Sequence, residues 1–265
     1  MATTITVLSQ KGGTGKTTTV RTLTDVFRRV GLNVLAVDLD PQGNLSDYLD
    51  VDPEATPTIT EVLAGTAKIK DADHGGIIPA NLSLAEAELM LGGKMGRELT
   101  LKKALRDVKG SYDMILIDCP PALGLLTVNA LVASDYALLS AEAQYFALQG
   151  IEQALEVIEL ARENLNPDLQ LLAIVLNIAD MRTRHSREAF DSLRQHFGDK
   201  LVDTVIRQSI AYAESAERAL SILEYRPDLG EDYLNVAGEL LKRLGMKDER
   251  KRLKALRKAP EPKGD

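Results

Sequence analysis

The sequence predicts an α/β fold, built as a single domain around a mostly parallel sheet with helices on both faces. Three observations point there. Strand-like apolar runs alternate with helical patterns from end to end. Short continuous runs such as Met114-Ile115-Leu116-Ile117 suit strands buried on both sides. A length of 265 residues with 45% hydrophobic content matches one large domain with a sizeable core.

The elements follow in order. Thr3–Ser9 is rich in β-formers, and Thr17–Val30 has helical spacing with Val20, Leu23, Thr24 and Phe27 on one side. Asn33–Asp38 is the second strand. A helix over Leu99–Val108 precedes the strand Asp113–Asp118, which Pro120 and Pro121 stop. Then come helix Leu123–Ala133, strand Tyr136–Ala141, helix Phe146–Asn164 and strand Leu171–Ile178. Helix Ser186–Phe197, strand Leu201–Val205 and helix Glu231–Leu244 complete the pattern. The domain is expected over residues 1–245, with no internal repeat. A basic tail, 246–265, follows and is partly disordered, ending in the Pro-rich stretch Ala259–Asp265.

Composition narrows the function. The chain carries a net charge of −7, yet Lys242–Asp265 holds ten basic and four acidic residues. An acidic body repels DNA phosphates overall, so nucleic-acid binding would have to be local. No apolar run approaches the roughly 18 residues of a membrane span, and no signal peptide is expected. The single cysteine, Cys119, excludes an internal disulfide and suits a reducing cytoplasm. His74, His185 and His196 show no metal-ligand spacing with it.

The chemistry gathers between the first strand and the first helix. Ser9-Gln10-Lys11-Gly12-Gly13-Thr14-Gly15-Lys16-Thr17-Thr18 is a phosphate-binding loop, in which backbone N–H groups cradle phosphates and Lys16 reaches the β/γ oxygens. Strand, glycine loop and helix aim a helix N-terminus at an anion. Gln10 replaces the usual first glycine and Lys11 follows it, one cation more than one nucleotide needs. The economical task for Lys11 is a second nucleotide, across a dimer interface. Two strands also end in aspartates, where ligands sit in such sheets. Asp38 and Asp40, at i and i+2, point to one side, and Asp118 ends the other strand. A magnesium ion on the phosphates needs oxygen ligands. Thr17 is the direct ligand by motif, with Asp118 as its partner and Asp38 beside it, while Asp40 orients the attacking water. Asn177 is placed to meet a purine edge.

With these residues the chain resembles the ParA/Soj family of deviant Walker A partition ATPases, relatives of MinD. The motifs are Lys-Gly-Gly-x-Gly-Lys-Thr-Thr (11–18), Val-Asp-Leu-Asp-Pro-Gln-Gly-Asn (37–44) and Ile-Asp-Cys-Pro-Pro (117–121). Likeness continues through 125–131, 145–150 and 164–167. The resemblance implies a P-loop NTPase of the deviant Walker A type that binds ATP and Mg2+. ATP then pairs two subunits, with Lys11 of each on the other's nucleotide and Gly12 packed at the interface. The dimer binds DNA without sequence preference, in the cytoplasm on the nucleoid. A ParB-like partner triggers hydrolysis, and the cycle moves chromosomes, plasmids or other cargo.

The C-terminal third departs from the family pattern. Ala211 stands where relatives use an arginine on DNA, and Arg207 and Ser209 replace a proline and an asparagine near the adenine. Arg182 matches a family DNA-contacting arginine, and Arg184, Arg187 and Arg194 could supplement it. The tail could bind phosphates too. A MinD-like membrane-cycling ATPase is the alternative, although the tail offers only Leu253, Ala255 and Leu256 as an apolar face.

Overall fold

The computed structural model describes residues 1–143 and 147–257. The family-like segment 145–150 therefore lies partly outside the described residues, as do Lys258 and the stretch Ala259–Asp265. The first half runs β1 (Thr3–Leu8), α1 (Lys16–Arg29), β2 (Val34–Asp38), α2 (Asn44–Tyr48), α3 (Ile59–Ala64), β3 (Ile77–Ile78), α4 (Ser83–Leu91) and α5 (Thr100–Leu105). The second runs β4 (Met114–Asp118), α6 (Leu125–Ala133), β5 (Tyr136–Glu142), α7 (Ala147–Asn164), β6 (Gln170–Ala179), α8 (Arg184–Phe197) and β7 (Leu201–Arg207). Helices α9 (Ala211–Glu217), α10 (Ile222–Tyr225), α11 (Pro227–Arg243) and α12 (Lys247–Leu256) end it.

Among the described residues the sheet has seven strands, all parallel, in the order β3-β2-β4-β1-β5-β6-β7. Alternation along each strand sorts side chains onto two cores, because successive residues of a strand face opposite ways. Ile5 and Val7 of β1, Met114 and Leu116 of β4, and Ala173 and Val175 of β6 pack with Val20, Leu23 and Phe27 of α1 and with Tyr233, Val236 and Leu240 of α11. Their neighbours Ile115, Ile117, Ile174 and Leu176 face the other way. They meet Leu126 and Ala130 of α6 and Ile151, Ala154 and Ile158 of α7. The continuous apolar runs are thus strands covered twice.

β1 lies in the middle, with the earlier-wound β2 and β4 on one side and β5, β6 and β7 on the other. The crevice at such a reversal is where ligands enter open α/β sheets. Register sets it: Val7 of β1 and Asp38 of β2 both pair with Asp118 of β4, so the aspartates stand level at one edge.

Within the basic segment after Gly245, Lys247–Leu256 forms helix α12, which docks on the body. Leu253 of α12 is 2% exposed, packed with the α1–α11 core. The Arg252 guanidinium donates to the Val30 carbonyl at 3.0 Å, and Arg257 pairs with Glu231 at 3.1 Å. Among the described residues no helix is long and apolar enough to cross a membrane.

Candidate functional site

β1 hands the chain to the loop at Ser9, and α1 begins at Lys16. Gly13 and Gly15 adopt φ of 75° and 79°, the left-handed region open to glycine. At Gly15 a side chain would also meet Asn177 Nδ2 at 3.3 Å. The loop is stitched from within. Thr14 Oγ1 donates to Ser9 Oγ at 2.9 Å, and Ser9 Oγ donates to the Lys11 carbonyl at 2.7 Å. Ser140 Oγ, from β5, and Asn177 Nδ2, from β6, both donate to the Thr14 carbonyl, at 2.7 and 3.0 Å.

Lys16 is 6% exposed, and its ammonium turns back to Ser9 Oγ at 3.1 Å and the Lys11 carbonyl at 3.4 Å. Burial pulls its pKa below the usual lysine value, with the Asp118 charge opposing. A cation desolvated this far with only neutral oxygens in reach is poised for an anion.

The three aspartates divide by their partners. Asp38 is fully buried and saturated: Oδ1 accepts from the Asp40 N–H at 3.1 Å, and Oδ2 from Ser46 N–H and hydroxyl at 2.9 and 2.8 Å. Burial pushes its pKa up to about 6 despite those bonds. Ser46 Oγ in turn accepts the Ala80 N–H, so Asp38 organises the turn into α2. Of the expected metal set, Asp38 is thus already occupied by the fold.

Asp118 is as deeply buried, yet neither carboxylate oxygen has a hydrogen-bond partner. Its pKa is raised well above the ordinary carboxylate value, by burial first and then by the Asp38 charge; Thr17 and Lys16 are near enough only to oppose the shift. An orphaned buried carboxylate beside a hydroxyl and an ammonium suits a hard cation on an anionic ligand. Asp40, 8% exposed, accepts the Gln42 N–H through Oδ1 at 3.0 Å and lines the opening.

The loop and Asp40 share one cleft of about 1090 Å3, in which Gly12, Gly13, Gly15, Lys16, Thr17, Thr18, Asp40 and Asn177 meet Ile206, Arg207 and Tyr212, while Asp38 and Asp118 are buried and not among its lining. Asn177 was expected to face a base. Its amide nitrogen is instead bonded to the loop, and only Oδ1 is left without a partner. Gly12 lies at the rim, its missing Cβ position 3.9 Å from Pro121 Cβ. Lys11 extends outward, its side chain 65% exposed, and pairs with Glu142 at 3.3 Å.

The arginines lie apart from this cleft's lining. Arg182 is 92% exposed and clasps Asp180 at 2.8 and 3.0 Å; Arg184 meets Glu188 at 2.7 Å, and Arg187 is exposed. Arg194 does not join them. Its guanidinium donates to the carbonyls of Gly198, Leu201 and Val202 and to Asp203, bracing the entry to β7. Ala211 is 2% exposed, so that position presents no cation. Sequence reasoning missed Ser9, Ser140 and Ser46, whose hydroxyls hold the loop and Asp38. No spacing rule marks a lone serine for such work.

Known proteins are similar to this chain. A family model described as an AAA domain matches residues 2–171. The sporulation initiation inhibitor protein Soj of Bacillus subtilis is 37% identical over 245 residues, 89% of this chain and 97% of its own length. The chromosome partitioning protein ParA of Caulobacter vibrioides is 37% identical over 250 residues, 89% of this chain and 93% of its own. Among solved structures, a cobyrinic acid a,c-diamide synthase from Mycobacterium smegmatis with bound ADP and magnesium superimposes with a TM-score of 0.75. It is 36% identical, and the match covers 82% of this chain and 91% of that one. With a phosphate loop beside two aspartate-tipped strands in register, and relatives matched over nearly their whole length, this chain belongs to the ParA/Soj family of P-loop ATPases.

Proposed function

We propose that this protein is an ATP-hydrolysing partition switch, which pairs on ATP, holds DNA without sequence preference, and positions a chromosome, plasmid or other cargo on the nucleoid. The observation that carries the reading is the unpartnered, fully buried Asp118 beside the inward-turned Lys16. A cation and an anion kept this dry without matching partners cost stability, and a phosphate-bound metal ion would satisfy both.

Thr17 and Asp118 would hold the magnesium, whose charge on the phosphate oxygens supplies electrostatic stabilisation when bound. Lys16 would leave Ser9 and the Lys11 carbonyl for the phosphates, joining the N–H groups of residues 12–18. Asp40, at the mouth of the cleft, would orient the attacking water. Lys11 would exchange Glu142 for the nucleotide of the second subunit, with Gly12 allowing close approach. Pairing would bring together two copies of the Arg182, Arg184 and Arg187 patch, and a ParB-like partner would accelerate hydrolysis. The membrane-cycling alternative has less support, because α12 buries Leu253 and leaves Leu256 as its one exposed large apolar residue.

Light scattering with and without ATP tests the switch. Lys11→Ala should bind nucleotide as a monomer and fail to pair, whereas Asp40→Ala should pair and stay paired, because water positioning acts on the transition state. Wild-type ATP-dependent pairing by Lys11→Ala would remove the shared-nucleotide reading. Wild-type turnover by Asp40→Ala would move the water-orienting role elsewhere.

A further inference from the structure

The phosphate loop has a cavity on each face. Residues 12, 13 and 15–18 line the nucleotide cleft, whereas Ser9, Gln10, Lys11 and Thr14 line a separate cavity of about 440 Å3. Among the described residues none lines both. The far wall of the second cavity is the end of β5 and the first turns of α7. Gln10, standing where the ordinary motif has its first glycine, turns its carboxamide this way: Oε1 lies 3.5 Å from the Cβ position that Gly150 lacks.

The lining is of three kinds. Gln10, Gln149 and Gln153 offer carboxamides, and Leu139, Ile151 and Ala154 offer aliphatic surface. The charged groups among the described lining residues are one cation and one anion, Lys11 and Glu142, paired at 3.3 Å. With the Lys11 side chain 65% exposed, that pair is weakly held, and a ligand can enter between its members.

Volume and charge narrow the ligand. Small-molecule sites run to roughly 300–1,000 Å3, and this cavity lies toward the small end. The pair carries no net charge, so a singly charged ligand would take one member and strand the other. An α-amino acid bears its ammonium and carboxylate on one carbon, and can answer Glu142 and Lys11 together. Its side chain is left to the aliphatic lining, where burial favours an apolar one.

The cavity also touches the switch. Lys16 rests on Ser9 Oγ and the Lys11 carbonyl, both from residues of this lining. Lys11 is the side chain proposed above to cross to a second nucleotide. A ligand carboxylate that holds it on this side opposes the crossing, and by linkage ATP-driven pairing opposes the ligand equally.

We infer that the cavity behind the phosphate loop binds a free aliphatic α-amino acid, whose head group opens the Lys11–Glu142 pair and withholds Lys11 from a second subunit. The withholding rests on the shared-nucleotide reading of Lys11; the binding does not.

Calorimetry of the full chain without nucleotide, titrated with L-leucine, L-valine or L-methionine, tests the site. At least one should bind saturably, once per chain. For the tightest of them, the matching acid without the ammonium and the matching amine without the carboxylate should each bind at least tenfold more weakly. Glu142→Gln should weaken it by a similar factor. Gln153→Trp, which fills the cavity from α7, should abolish binding and keep wild-type ATP turnover measured without amino acid, which certifies its fold. Light scattering with ATP should show pairing moved to higher protein concentration by the bound amino acid in wild type, and unmoved in Gln153→Trp. Absence of binding by all three up to about 10 mM, a weak limit for ligands of this size, would overturn the inference. So would undiminished binding by Gln153→Trp, which would put the ligand elsewhere, or binding that leaves wild-type pairing unmoved. Failure to pair in protein free of amino acid would count against the reading of Lys11 alone.

Discussion

β2 and β4 end side by side in aspartates that are register partners and equally buried, yet their surroundings are opposite. Asp38 receives three hydrogen bonds, two of them from Ser46 at the start of α2. Asp118 receives none, since Cys119, Pro120 and Pro121 carry its strand away without folding donors back onto it. Depth and charge being matched, the difference lies in what the next few residues do. One carboxylate is an acceptor used by the chain to fold a turn, and the other has no such use within the fold.

The sharpest way to break this contrast is Asp118→Asn. Turnover should fall by two or more orders of magnitude if the carboxylate serves the metal. Nucleotide-free Tm should rise, because an uncompensated buried charge is replaced by a neutral isostere. A fall in Tm would show that Asp118 supports the fold after all.

Asp38→Ala should act in the other direction. Three donors lose their acceptor at about 1–3 kcal/mol for each buried group left unsatisfied. Thermal unfolding should therefore come several degrees earlier, at roughly 2–4 °C per kcal/mol for chains approaching this size. Unfolding at the wild-type temperature would mean that Ser46 and Asp40 find water instead.

The smallest effect concerns pH. Asp118 holds its proton more tightly folded than unfolded, so its protonated form contributes stability below the unfolded value of 3.8. That contribution is lost as pH rises toward the higher folded value. The Tm gap between Asp118→Asn and wild type, measured without nucleotide, should be narrowest near pH 4 and widen toward neutrality. A constant gap would place Asp118 in an ordinary solvated setting.

Much of this was legible in the sequence where patterns are long or motifs dense. The six strands read from apolar runs are all present, and the glycine loop fell where strand meets helix. β3 escaped because two residues, Ile77 and Ile78, carry no period, and α2, α3, α9 and α10 are too short to show a face. In the sequence Asp38 and Asp118 look alike, as strand-end aspartates. Only tertiary structure brings Ser46 onto one of them. Arg194 looked like its exposed neighbours for the same reason, its acceptors being backbone carbonyls, which no sequence pattern displays. In α12 a single buried leucine among charges gave too weak a periodicity to announce a docked helix.

That docking has a mechanical consequence. α1 is a rod of about 21 Å, 14 residues at ~1.5 Å each. Its first residue is Lys16, and just past its last turn the Val30 carbonyl holds Arg252. One stiff member therefore joins the seat of the phosphates to the mounting of the basic helix. Any tilt imposed at the first end must be accommodated at the second, where Arg252 and Leu253 seat the basic helix.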